Sequence, residues 1–191
     1  MFQAEMAAER ATGAGDCTVR PARLEDLDHL VALDAACFPS GIAYPRRYLH
    51  ALLCSPTCIA QVATLPTQTD AASFGGPQAA VSGTGGDGGI VGFAILELRR
   101  HARTLVGELV TLDVQASARR CGVGQRLHGS LEQIVRQHNG HRMRLQVSVE
   151  NAPAIRLYQR LGYHIYGRIP RYYLGKIDAW WMEKRWELVQ A

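Results

Sequence analysis

Read from its N-terminus, the chain passes between stretches of helical and of extended hydrophobic spacing. Residues 1–16 are small and polar without a period, and predict a flexible arm. Thr18 to Ala22 predicts a short strand stopped at Pro21. Leu27, Leu30, Val31 and Ala35 fall on one face of a helix behind the acidic first turn of Glu25 and Asp26. Phe38-Pro39-Ser40-Gly41 is the turn expected to end it. A second helix is expected from Pro45, which suits a first helical position, and carries Tyr48, Leu49 and Leu52 up to Ser55-Pro56. Thr57 to Val62 and Gly89 to Arg99 predict an antiparallel strand pair. Between them Ala63 to Gly88 is rich in Gly, Ala, Thr and Ser and nearly uncharged; it buries too little apolar surface to offset its ordering entropy, so a flexible insertion is expected over 63–88.

The second half is more regular. Thr104 to Val114 is apolar enough for a central strand. Val123, Leu127, Leu131, Ile134 and Val135 mark one face of a helix. In Arg142 to Val149, Arg144, Gln146 and Ser148 alternate with Leu145, Val147 and Val149, as on a half-buried strand. Asn151 to Leu161 predicts a helix closed by Gly162. Tyr163 to Gly167 and Asp178 to Val189 are expected as final strands, joined by an aromatic loop from Pro170 to Gly175. The order is strand, two helices, three strands, helix, strand, helix, two strands. It predicts an α/β (α+β) domain over 17–191, with helices on both faces of a mixed sheet.

Composition narrows this picture. At 191 residues the chain can bury one full core and is short for two. No apolar run approaches the ~18 residues of a membrane span, and the opening residues lack the apolar stretch of a signal peptide, so a cytoplasmic protein with no membrane partner is expected. The net charge of +4 is uneven: residues 1–95 carry five Arg and Lys against nine Asp and Glu, whereas 96–191 carry sixteen against eight. The second half therefore favours an anionic partner, either a nucleic acid or a phosphorylated cofactor. It lacks interleaved aromatics on one strand face, which argues against nucleic acid. Five cysteines without a Cys-x-x-Cys pair, and seven histidines at no metal spacing, predict free thiols and no metal site.

The most informative stretch is Val110 to Leu127. A strand runs into Arg119-Arg120-Cys121-Gly122-Val123-Gly124-Gln125 and then into a helix. That order gathers free backbone N–H groups and the positive end of a helix dipole at one spot, which suits a phosphate. Gln125 and Arg126 stand where a nucleoside-triphosphate loop needs Lys and Ser or Thr. Leu127 replaces the third glycine of a dinucleotide fingerprint. Gly122 and Gly124 alone would still be compatible with a plain turn.

Arg119-x-x-Gly122-x-Gly124 resembles the acyl-CoA pyrophosphate loop of the GNAT acetyltransferase superfamily. Asn151-Ala152-Pro153-Ala154-Ile155-Arg156-Leu157-Tyr158-Gln159-Arg160-Leu161-Gly162-Tyr163 resembles its Asn-x-x-Ala-x-x-Leu-Tyr-x-x-Leu-Gly-Phe helix. The resemblance spans Thr18 to Leu188. It is nearest to the RimI and N-terminal acetyltransferase branch, through Gly107 to Val114, Cys37-Phe38-Pro39, Tyr172-Tyr173, Asp178-Ala179 and Met182. It implies a single GNAT-type domain with a mixed, mostly antiparallel sheet. The implied activity is acetyl-CoA-dependent acetylation of a protein amine: an N-terminal α-amine, a ribosomal protein's among the candidates, or a lysine. Small amines (a polyamine, an amino acid, a drug) and a non-catalytic acyl-CoA sensor are the alternatives. A monomer or a homodimer is expected.

The same resemblance implies site residues. Arg119, Arg120, Cys121, Gly122, Val123, Gly124 and Gln125 would hold the pyrophosphate. The backbone of Leu112 and Val114 would pair with the pantetheine arm, and Asn151 would meet the arm from the other side, a role compatible with capping its helix. Tyr158 occupies the general-acid position. The glutamate of RimI-type enzymes is replaced by Gln146, which cannot usefully accept a proton. Glu108 is the first substitute base, with Glu150 or a water relay as alternatives. Phe38, Tyr44, Tyr172 and Tyr173 would flank the acceptor groove.

Overall fold

A computed structural model describes residues 17–39, 41–66, 89–101 and 104–186. The expected arm over 1–16, positions 67–88 of the expected insertion and the last residues of the final predicted strand lie outside the described residues. The chain forms β1 (Thr18–Pro21), a 3-10 turn (Leu24–Asp26), α1 (Leu27–Cys37), α2 (Arg46–Cys54), β2 (Cys58–Thr64), β3 (Ile90–His101) and β4 (Thr104–Val114). A second 3-10 turn (Ala116–Ala118), α3 (Val123–Gln137), β5 (Arg142–Ser148), α4 (Ala152–Arg160), β6 (His164–Tyr173) and β7 (Ile177–Arg185) follow. The strands form one sheet in the order β1-β2-β3-β4-β5-β7-β6. Every pairing is antiparallel except β4 with β5. The expected α/β class and mostly antiparallel sheet are both found.

The central strands read as unbroken apolar runs because both of their faces are covered. Val62, Phe93 and Ile95 pack with Leu27, Leu30, Leu49 and Leu52 of the α1 and α2 layer. Their neighbours Ala63, Ala94 and Leu96 face the opposite layer, with Leu127, Leu131 and Val135 of α3 and Tyr158 of α4. Gly107 marks the tightest approach: a Cβ there would lie 2.6 Å from Val135 Cγ2 and 2.8 Å from Met143 Cγ. Gly107→Ala should therefore lower the unfolding free energy by about 1–3 kcal/mol, read from the midpoint of a urea titration. An unchanged midpoint would mean that α3 does not press on β4 at this point.

Three boundaries differ from expectation. Ala63 and Thr64 belong to β2 rather than to the insertion, because Ala63 is fully buried opposite Gly92 and Thr64 pairs with Ile90. Pro45 is the N-cap of α2, not its first helical residue, with extended backbone at ψ 147°. The expected aromatic loop is mostly strand. β6 continues through Tyr173, absorbing a register irregularity near Arg171 (φ 55°), whose N–H donates to Asp178 Oδ1 at 2.8 Å.

Two features of β4 position the site. Leu109 pairs with Leu96 and Thr111 with Ile95, so Val110 is an extra residue, a β-bulge. The bulge turns Leu112 and Val114 toward α3 and α4 and leaves Thr111 and Asp113 on the α1 side. The parallel ladder with β5 runs only from Val106 to Leu109, opposite Arg142 to Leu145. Beyond it β4 stays with β3, β5 stays with β7, and a wedge opens between them.

Candidate active site

The wedge widens into a cleft of about 730 Å³. Its walls are Leu112, Asp113 and Val114 of β4, the loop and first turn of α3, and Asn151, Leu157 and Tyr158 at α4, with Cys37 and Phe38 closing one side. Of the cofactor residues expected from sequence, all but Cys121 line this cleft.

The α3 entrance forms as the glycines suggested. Arg120 (φ 64°) and Gly122 (φ 80°) both take left-handed backbone, which folds the loop tightly enough for Gly122 to serve as N-cap. No side chain caps this end and its first turn holds no acidic residue, so the leading N–H groups stay available to an anion. Gly124 faces Leu157, Leu112 and Val114, with an added Cβ at 3.5–3.7 Å from each. Arg119 behaves differently from expectation: its Nε donates to the Val114 carbonyl at 2.9 Å, and its Nη2 lies 3.6 Å from Cys37 Sγ. The guanidinium clamps the loop onto the end of β4, and the Val114 carbonyl is already engaged within the protein. Arg120 remains as a cation on the cleft wall.

On the facing wall, Asn151 caps α4, its Oδ1 accepting from the Ala154 N–H at 3.2 Å, which leaves its amide NH₂ for the cleft. Tyr158, 6% exposed, stands in an aromatic cluster with His128 and Tyr163 at ring separations of 6.0 and 5.9 Å. Burial, reinforced by Tyr173 and Asp113 nearby, lifts its hydroxyl above the usual tyrosine range. The group therefore remains a proton donor at neutral pH. His128, fully buried behind it, is driven down to about 4 by burial and Lys184, so its ring is neutral.

The expected acceptor residues gather on the other side of the bulge. Tyr44 stacks on Tyr48 at 4.9 Å and its hydroxyl reaches the carbonyl of Val110 at 3.4 Å. Tyr172 meets Tyr173 edge-on at 4.9 Å, and Tyr173 donates to the Gln146 carbonyl at 3.2 Å. Burial and Tyr172 push Tyr173 up to about 12. Phe38, the fourth of them, lines the cleft itself.

Glu108 is not brought to the cleft. It is held by Arg99 at 3.1 Å, with Arg144 at 3.9 Å and His101 at 4.0 Å, near Tyr172 at the outer end of the tyrosine group. Glu150 is exposed in the turn before α4.

Sequence reasoning missed a carboxyl pair. Asp113, 1% exposed, sits on the cleft wall; Thr111 Oγ1 donates to its Oδ2 at 3.0 Å and its Oδ1 has no hydrogen-bond partner among the described residues. Asp34 of α1, fully buried, accepts from the Tyr44 N–H at 2.6 Å through Oδ2, and its Oδ1 likewise has no hydrogen-bond partner among the described residues. An aspartate inside the apolar run of β4 was the available signal. Among the described residues no cluster of three or more His, Cys, Asp or Glu could hold a metal, and no helix is long and apolar enough to cross a membrane.

Comparison with known proteins gives three findings. The family described as Acetyltransferase (GNAT) matches residues 42–163. An N-alpha-acetyltransferase of Sulfurisphaera tokodaii is 28% identical over 173 residues, covering 86% of this chain and 90% of that protein. In fold, the chain is similar to Arabidopsis thaliana NAA60, solved with a bisubstrate analogue (TM-score 0.72, 18% identity, 88% of this chain and 97% of the other). It is also similar to the ribosomal-protein-S18-alanine N-acetyltransferase of Escherichia coli (TM-score 0.67, 17% identity, 92% and 96%).

Proposed function

The chain belongs to the GNAT family of acetyltransferases, and on that premise we propose that it transfers an acetyl group from acetyl-CoA to the N-terminal α-amine of a protein. The observation that carries the reading is the cleft itself, which joins an anion-binding helix N-terminus to a buried tyrosine through the wedge between β4 and β5. The residues present fit the donor. The uncapped N–H groups of Val123, Gly124 and Gln125, with Arg120, suit a pyrophosphate, and the bare Gly124 leaves room for a narrow arm beside Leu112 and Leu157. Bound there, acetyl-CoA supplies the activated acetyl thioester.

The chain's own groups then act on protons and position. Tyr158 offers its hydroxyl proton to the departing sulfur as the C–S bond breaks, and the proton shed by the newly acylated nitrogen restores the hydroxyl. Arg119 holds the loop rather than the phosphate, and the Asn151 amide NH₂ directs a donor into the cleft. Tyr44 and Tyr173 form a half-buried wall whose exposed rim includes Tyr48, Tyr172 and Leu174, a groove suited to an extended peptide end. Glu108, near Tyr172, has its charge met by Arg99 and Arg144, and no step is assigned to it. The N-alpha-acetyltransferase of Sulfurisphaera tokodaii supports a protein N-terminus as the acceptor.

The test is released coenzyme A thiol across three panels: peptides with free N-termini, the same peptides N-blocked but carrying lysine, and small amines. Turnover on the first panel at least tenfold above the others is expected. Preference for small amines would replace the peptide reading.

A further inference from the structure

The structure holds a carboxyl pair that the proposed chemistry has not used, and it lies where a base is missing. Gln146 occupies the strand position at which the resemblance implied a glutamate, and Glu108 is bound in ion pairs away from the cleft. Asp113 stands on the cleft wall with Tyr158, Leu112 and Val114, and one of its oxygens is buried without a hydrogen-bond partner among the described residues. Such an oxygen is costly in a folded protein unless a ligand or a proton meets it.

We propose that Asp113 is the base of the reaction, taking the proton that the acceptor ammonium must lose, with Asp34 of α1, which holds the Tyr44 N–H, as its charged neighbour. This rests on the acetyl-transfer reading above. An N–H bond of the ammonium breaks, its proton passes to Asp113 Oδ1, and the electron pair left on nitrogen becomes the nucleophile; the proton leaves to solvent when the site reopens. Thr111 fixes Asp113 by donating to Oδ2, which leaves Oδ1 as the oxygen free to work. The groups facing Asp113 are Asp34 and Cys37 from α1, Arg119 from the loop before α3 and Tyr158 from α4. Burial, with the Asp34 charge second and against the opposing pull of Thr111 and Arg119, raises Asp113 to about 7. A base so placed is half deprotonated near neutrality and binds the transferred proton well. Asp34 also accepts from the Tyr44 N–H, so the charge facing Asp113 is anchored to the groove wall that would seat the acceptor.

The test compares wild type, Asp113→Asn and Asp34→Asn. In wild type kcat/KM should fall as pH drops below about 7, the protonated carboxyl being inactive. Asp113→Asn should lose at least 100-fold in kcat and lose that acid limb, while acetyl-CoA affinity stays within threefold. An acceptor amine of low basicity, already neutral at the assay pH, should recover most of the lost rate. Asp34→Asn keeps an acceptor for the Tyr44 N–H but removes the repelling charge, so its acid limb should move to lower pH. Independently of turnover, carboxyl-carbon NMR of the cofactor-free protein should show a group titrating near neutrality that Asp113→Asn removes. Asp113→Asn within threefold of wild type, or with the acid limb intact, would overturn the proposal while leaving the acetyl-transfer reading standing. A wild type that binds no acetyl-CoA and acetylates no amine would overturn both.

Discussion

Replacing Tyr158 by Phe should cut kcat by about 10²- to 10³-fold while acetyl-CoA affinity changes less than threefold. The substitution deletes one hydroxyl and keeps the ring, so the contacts with His128 and Tyr163 and the packing of α4 survive. What disappears is the only part of the side chain that can give a proton. Burial holds that hydroxyl protonated well beyond neutral pH, so the wild-type rate should not fall on the alkaline side at the pH of an ordinary tyrosine. Single-turnover kinetics with titrated acetyl-CoA separate the chemical step from binding. A Phe variant within threefold of wild type in kcat would take Tyr158 out of the acid role.

The second large effect is expected at Gly124. Its missing Cβ lies 3.5 Å from Leu157, 3.6 Å from Leu112 and 3.7 Å from Val114, all ordinary contact distances. Gly124→Ala should therefore fold well, with the helix propensity of alanine adding up to about 1 kcal/mol. Gly124→Leu carries three further carbons into the space between β4 and α4. Acetyl-CoA affinity should drop more than 100-fold in the leucine variant and less than fivefold in the alanine one, measured by calorimetry. Equal affinity in the two would mean that the donor does not pass between β4 and α4.

Much of this site was legible because its signals are local. Arg119 to Gln125 announce a strand, a tight loop and a helix start by composition and order alone, and Asn151 and Gly162 bracket α4 by their capping chemistry. The strands were found wherever apolar runs were long, as in Thr104–Val114, whose bounds match the fold. Boundaries failed where tertiary contacts decide. Ala63 has no β propensity to speak of, and is held in β2 by pairing with Gly92 and by burial in the core with α3. The chain from Pro170 to Tyr173 looks like a loop, yet a bulge carries it as strand.

The partners of side chains were the least legible part. Nothing in the sequence says that Arg119 turns back to Val114, that Glu108 is claimed by Arg99, or that Asp34 and Asp113 meet across two elements 79 positions apart. The first and last of these lie beyond the bulge at Val110, one residue that reverses which side of the sheet the end of β4 presents.

The short parallel ladder between β4 and β5 has a thermodynamic consequence of its own. Four residue pairs join the half-sheet of β1 to β4 to the half-sheet of β5, β7 and β6. A donor seated in the wedge as proposed would lie along that seam, so its binding and the strength of the β4–β5 junction would be linked. Reciprocity would then apply: a substitution that strengthens the junction would tighten the donor by the same factor by which the donor strengthens the junction.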